Sequence, residues 1–88
     1  MRESKIEAYL VKRVRLLGGV VRKVQWVGRR GAPDRLVALP ESVAFWVELK
    51  APGEKPDPHQ EREHERMRNV GMRVEVVDSM ERVDEVLR

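Results

Sequence analysis

Two carboxylates and a lysine stand in this sequence at a spacing that could do chemistry. Asp34 follows Pro33, and Glu48-Leu49-Lys50 comes after thirteen intervening residues. Pro40-Glu41-Ser42 divides that interval into two apolar runs, Asp34 to Leu39 and Val43 to Lys50. Such a pattern predicts a β-hairpin. With the turn centred on Glu41, cross-strand partners have numbers summing to 82. Asp34 then faces Glu48, Leu36 faces Trp46 and Ala38 faces Ala44, while Lys50 points the same way as Glu48 because side chains alternate with period two.

Like charges opposed across a ladder are destabilising, with Cβ atoms only about 4.5–5.5 Å apart. The other face carries Val37, Leu39, Val43, Phe45, Val47 and Leu49, so both faces read as apolar and covered. Burial makes an ionised pair costlier still unless a cation lies between the two. Mg²⁺ or Mn²⁺ would serve, each a hard ion held by one or two carboxylates with water and phosphate oxygens completing its shell. Alternatively, the pair sits at strand ends and is neutralised in solvent by Arg30, Arg35 or Lys50. A one-residue slip of the turn would send Glu48 to the opposite face.

The elements that must hold these residues follow from the apolar periodicity. Ser4 to Leu17 reads as a helix with Ile6, Leu10, Val14 and Leu17 in register, ended by Gly18-Gly19. Val20 to Val27 reads as a strand, followed by the loop Gly28-Arg29-Arg30-Gly31-Ala32-Pro33. Trp26 and Trp46 fit strand interiors. After the hairpin, Ala51 to Pro58 is a proline-rich loop. Asp57 and Pro58 suit the N-cap and first position of a second helix, which stops before Gly71. Met72 to Val77 is a half-buried strand, and Ser79 caps a last helix carrying Met80, Val83 and Leu87. The order is αβββαβα: an α+β mixed sheet with helices against it, in one domain spanning residues 1–88.

Composition limits the function classes. The chain has 88 residues and no cysteine, so disulfides, thiolate metal sites and a cysteine nucleophile are excluded. No apolar run approaches a membrane span of about 18 residues, and the N-terminus leads into no signal-type stretch, so a soluble, cytoplasmic protein is expected. The net charge of +3 divides unevenly: residues 1–35 hold ten Lys/Arg against three Asp/Glu, and the remainder eight against twelve. Thirteen of the eighteen cations are arginine, whose planar fork suits phosphate. A basic first third points to nucleic acid. A solvated basic helix is the alternative.

The Pro33-Asp34 … Glu48-Leu49-Lys50 pattern resembles the PD-(D/E)XK signature of metal-dependent nucleases, with a preceding helix and a following helix and strand as context. More narrowly, Gly31-Ala32-Pro33-Asp34-Arg35, the segment Val47 to Pro52 and Gln60 resemble the VRR-NUC (virus-type replication-repair nuclease) family, over Ser4 to Val83. The resemblance implies a restriction-endonuclease-like core. It also implies a Mg²⁺- or Mn²⁺-dependent DNA endonuclease selective for branched DNA, such as four-way junctions or flaps. Asp34 and Glu48 would be metal ligands, with the carbonyl of Leu49 a third. Lys50 would orient the attacking water or screen the transition state, and the products would carry a 5′-phosphate and a 3′-hydroxyl. No small-molecule cofactor is implied. A homodimer is, by analogy with junction-cleaving relatives, and an origin in a virus or prophage would fit. The competing expectation is a DNA-binding module that keeps the fold without turnover.

Several positions support two readings. Glu7, on the apolar face of the first helix, is either an acid aimed at the metal or the N3 residue of a Ser4-x-x-Glu7 capping box. Glu3 is a second candidate for that acid. Gln60 either caps through Asp57-x-x-Gln60 or holds Lys50 or the water. Lys23, Arg29, Arg30 and Arg35 are the expected phosphate contacts, with Arg13, Arg15 and Arg22 extending the surface. His59 and His64 match no zinc spacing and read as surface or lightly buried residues. The second helix is so poorly apolar that it reads as a solvated lid or a polar dimer contact.

Overall fold

Helix α1 (Glu3–Leu16) is fixed by the spacing of Ile6, Leu10 and Val14, all fully buried. In the computed structural model, which describes residues 1–88, it ends in a Schellman motif: Gly19 N–H donates to the Val14 carbonyl and Gly18 N–H to that of Arg15. Gly18 holds φ at +84°, the left-handed conformation this motif requires. The N-cap is Arg2, with no side-chain cap. Ser4 therefore lies inside the helix, and the expected Ser4–Glu7 capping box does not form.

Strands β1 (Val20–Lys23), β2 (Arg35–Ala38), β3 (Phe45–Leu49) and β4 (Val74–Val77) form one sheet in the order β1-β2-β3-β4, antiparallel except for the parallel β3–β4 pair. Helix α2 (Pro58–Asn69) crosses from β3 to β4, and α3 (Met80–Val86) closes the chain. Ser79 Oγ accepts from Arg82 N–H at 3.0 Å, as a cap should. The result is the expected α+β mixed sheet with three helices.

The hairpin register is the one read from the sequence: Arg35 pairs with Val47, Leu36 with Trp46 and Val37 with Phe45. Val37, Phe45, Val47 and Leu49 point to one face, where α1 and α3 cover them with Ile6, Leu10, Val14, Val83 and Val86. This is the apolar core. All four strands are shorter than their apolar runs suggest, β2 by one residue at each end. Val43 is 89% exposed rather than covered, because the chain still turns through Glu41 (φ +58°) and β3 begins only at Phe45. At the other end, β1 stops at Lys23, so Trp26 belongs to a loop and not to a strand interior. Met72 and Arg73 likewise precede β4.

Candidate active site

The loop before Asp34 is pinned at three points. Trp26 Nε1–H donates to the Pro33 carbonyl at 2.8 Å, and its ring lies against Trp46 with centroids 4.9 Å apart. Val24 N–H then donates to the Asp34 carbonyl at 2.9 Å, extending the β1–β2 ladder by one bond. Gly31 sits on the N-terminal turn of α2: a Cβ there would stand 2.9 Å from the His59 carbonyl oxygen. Its φ of +85° is also one that side-chain-bearing residues avoid. Gly31→Ala should therefore cost about 3 kcal/mol, left-handed strain plus displacement of α2. A melting curve checks this, since a loss of about 1 kcal/mol lowers Tm by about 4–8 °C in a domain of this size.

Asp34 stands one step beyond the last hairpin pair and shares its face with Glu48. Asp34 is 45% exposed and Glu48 only 12%. Burial pushes the Glu48 carboxyl up to about 7, with the negative charges of Asp34 and Glu3 adding to the effect and Lys50 and Arg35 opposing it. The Glu48 Oε1 atom is buried without a hydrogen-bond partner. Leu49 turns its side chain into the core, which leaves its carbonyl as the only group it can offer. Lys50 N–H is bonded to the Val77 carbonyl, so the ammonium leaves from a fixed backbone. No cluster of three or more His, Asp or Glu side chains is preformed. Two carboxylates with the rest of the shell open are the kind of donor set magnesium accepts, and the unpartnered oxygen of Glu48 fits a cation.

Arg35 is not a phosphate contact. Its guanidinium is 13% exposed and forks onto Glu7, with Nε 2.7 Å from Oε2 and Nη2 on the same oxygen, while Nη1 lies 2.8 Å from Asp34 Oδ1. Burial opposes its charge, but the hydrogen bond to Glu7 and the pull of Asp34 outweigh that and raise its pKa. Glu7 is thereby committed to Arg35. Of the two acids on α1, Glu3 is the one whose charge bears on Glu48.

Helix α2 is not a solvated lid. Its sheet-facing stripe is Glu63, His64 and Met67, all buried, on the face of the sheet opposite the apolar core. Arg29 reaches Glu63 at 2.5 Å and Arg66 joins at 2.9 Å. The bond from Arg29 holds the Glu63 carboxyl below its usual range. His64, expected near the surface, is 1% exposed, with Nε2 3.4 Å from Glu48 Oε1. Burial, with the positive charges of Arg68 and Lys50, lowers its pKa. The missed signal was positional: Gln60, Glu63, His64 and Met67 recur at helical spacing, a buried stripe written mostly in polar residues. Gln60 does cap, since its Oε1 accepts Asp57 N–H at 2.9 Å, leaving its amide NH₂ free to donate.

Beside Asp34 opens a groove of about 620 Å³ lined by Lys23, Gln25, Trp26, Arg29 and Gly31. The expected cations Lys23 and Arg29 therefore border it, and Arg30 is exposed on the same loop. Arg13 is instead tied to Asp84 at 2.8 Å, joining α1 to α3. No helix is long and apolar enough to cross a membrane.

No protein-family model matches the sequence. The chain is 53% identical over 81 residues to "Putative nuclease p44" of Acyrthosiphon pisum secondary endosymbiont phage 1, covering 92% of this chain and 87% of that protein. It also superposes on a solved structure described as a VRR_NUC domain with a TM-score of 0.87 and 49% identity, over 97% of this chain and 92% of that one. The pinned Pro33-Asp34 loop, the hairpin that brings Glu48 and Lys50 beside it and these two likenesses lead to one conclusion: the chain belongs to the VRR-NUC nuclease family.

Proposed function

We propose that this nuclease hydrolyses phosphodiester bonds of branched DNA with the help of Mg²⁺ or Mn²⁺ held by Asp34, Glu48 and the Leu49 carbonyl. The observation that carries the proposal is that Asp34 and the largely buried Glu48 share one sheet face, where each negative charge makes the other costlier unless a cation joins them. A divalent cation, when bound, would acidify a coordinated water and neutralise charge building on the phosphate. Lys50, whose charge bears on Glu48, would hold the attacking water or screen the developing negative charge. On α1, Glu3 is the acid whose negative charge bears on Glu48. Glu7, which the sequence left between a metal-directed acid and a helix cap, acts through Arg35 to fix Asp34. The Gln60 amide NH₂ is available to orient the water.

Lys23 and Arg29 border the Asp34 groove, Arg30 is exposed on the same loop, and all three would bind backbone phosphates. Contacts of that kind carry little sequence information and weaken steeply with salt, so selectivity would rest on DNA shape. A homodimer belongs to the same proposal: Leu16, Leu17 and Val20 lie exposed where α1 passes into β1, and a two-fold pair would place two sites on a symmetric junction.

The test is cleavage of labelled four-way junction, flap and linear duplex DNA in Mn²⁺ or EDTA. Wild type should cut the branched substrates only with metal. Asp34→Ala should fall by on the order of a thousandfold, equivalent to about 4 kcal/mol of barrier. Absence of metal-dependent cutting with retained DNA binding would identify a non-catalytic binding module instead.

A further inference from the structure

Two buried polar side-chain atoms, one on a carboxylate of the signature and one outside it, have no hydrogen-bond partner, and they face each other. Glu48 Oε1 and His64 Nε2 are 3.4 Å apart, with His64 99% enclosed beneath α2. Buried polar atoms are rarely left unpaired, because each costs about 1–3 kcal/mol in lost hydration. Two of them together, one from the sheet and one from the helix laid over it, form a pair that a small adjustment of either side chain would close into a hydrogen bond. The helix is positioned for it: Asp57 and Gln60 cap its first turn, Gly31 packs on the His59 backbone, and Arg29 grips Glu63 next to His64.

We propose that His64 is a positioning residue for the metal site. Its Nε2–H donates to one oxygen of the Glu48 carboxylate and thereby fixes the other oxygen for the cation. The inference rests on the metal-dependent reading above. Metal-binding carboxylates are commonly held by an outer hydrogen bond, whose loss weakens metal binding by about 10- to 100-fold. It also assigns α2 a part in the chemistry, since the helix carries the group that orients a ligand on β3.

The experiment is calorimetric titration of the full chain with Mn²⁺, without DNA, on wild type, His64→Leu, His64→Gln and His64→Asn, each with a melting curve. Cleavage is measured in parallel as a function of Mn²⁺. His64→Leu removes the donor but keeps an apolar body, and should weaken Mn²⁺ binding by about 10- to 100-fold. The Mn²⁺ concentration giving half-maximal cleavage should rise by the same factor, with the rate at saturating metal nearly retained. His64→Gln, whose amide can still reach Glu48, should recover most of the affinity, and the shorter His64→Asn should not. That Gln–Asn contrast carries the test should His64→Leu lose its melting transition. Wild-type affinity in a folded His64→Leu overturns the proposal, as does His64→Gln no better than His64→Asn. Wild type that binds no Mn²⁺ overturns the metal-dependent reading and this inference together, whereas an insensitive His64→Leu overturns the inference alone.

Discussion

Glu48→Gln should give a protein that is more stable than wild type and inactive. In EDTA at pH 8 its Tm should rise by about 10 °C, the equivalent of about 2 kcal/mol. The sign follows from linkage. Burial raises the Glu48 carboxyl to about 7 in the folded chain, so between its ordinary value and 7 the folded state binds more protons than the unfolded one. Stability contributed by this group is present at low pH and is lost as pH rises through that window. Full conversion of the shift would give about 3 kcal/mol, and partial solvent access to the carboxylate reduces it to about 2. Glutamine keeps the shape without the charge, so its advantage should shrink to about a quarter by pH 5. His64 has the opposite slope, since a lowered histidine pKa adds stability as pH rises towards its ordinary value; because it faces Glu48, that slope differs between the two proteins, and the comparison is therefore decided at pH 8, above the histidine's range. Paired melting curves from pH 5 to 8 provide the check, and an unchanged or lower Tm at pH 8 contradicts the assignment of Glu48 as a buried, destabilising charge. Metal should stabilise wild type, by about 2.7 kcal/mol at a hundredfold excess over Kd, and leave Glu48→Gln unmoved.

Arg35→Lys should behave as a structural lesion rather than as a lost phosphate contact. The arginine forks onto Glu7 and also meets Asp34, and one ammonium cannot reproduce that geometry. Breaking a buried ion pair costs about 3–5 kcal/mol when a partner is removed outright. With the charge retained and both carboxylates partly hydrated, about 2 kcal/mol is expected, seen as a Tm fall of about 8–16 °C. Cleavage should fall too, because Asp34 loses its tether. If Arg35 instead served DNA, Tm would hold and only affinity and its salt dependence would change. Arg30→Lys is the contrast, with Tm retained.

These two residues also show where the sequence was legible. Alternation in the hairpin and a single tight turn sufficed to set the register, and with it the shared face of Asp34 and Glu48, because a slip would have reversed every side chain. Strand ends were less legible. Val43 and Val27 have the residue type of strand interiors, yet turn geometry and the folding back of Trp26 remove them from the sheet. Burial of α2 could not be read from hydrophobicity, because its inward stripe is Glu63, His64 and a single methionine. Their partners, Arg29 and Glu48, lie 34 and 16 residues away in sequence, and only the tertiary fold pairs them. Arg35 was obscured for the same reason: a cation next to Asp34 looks the same from sequence whether it faces a phosphate or Glu7.

The sheet therefore has two faces built on different principles. One is closed by Ile6, Leu10, Val37, Phe45, Val47 and Val83, which hold by exclusion of water and tolerate exchange among aliphatics of equal volume. The other is closed by Glu63, His64 and Glu48, where each group depends on a particular partner. Thermal robustness and chemistry are consequently written on opposite sides of four strands. The first can be improved through the aliphatic positions of the α1–α3 side while Glu3, Glu7 and the polar face are left unchanged, whereas exchanges on the polar face should move stability and chemistry together.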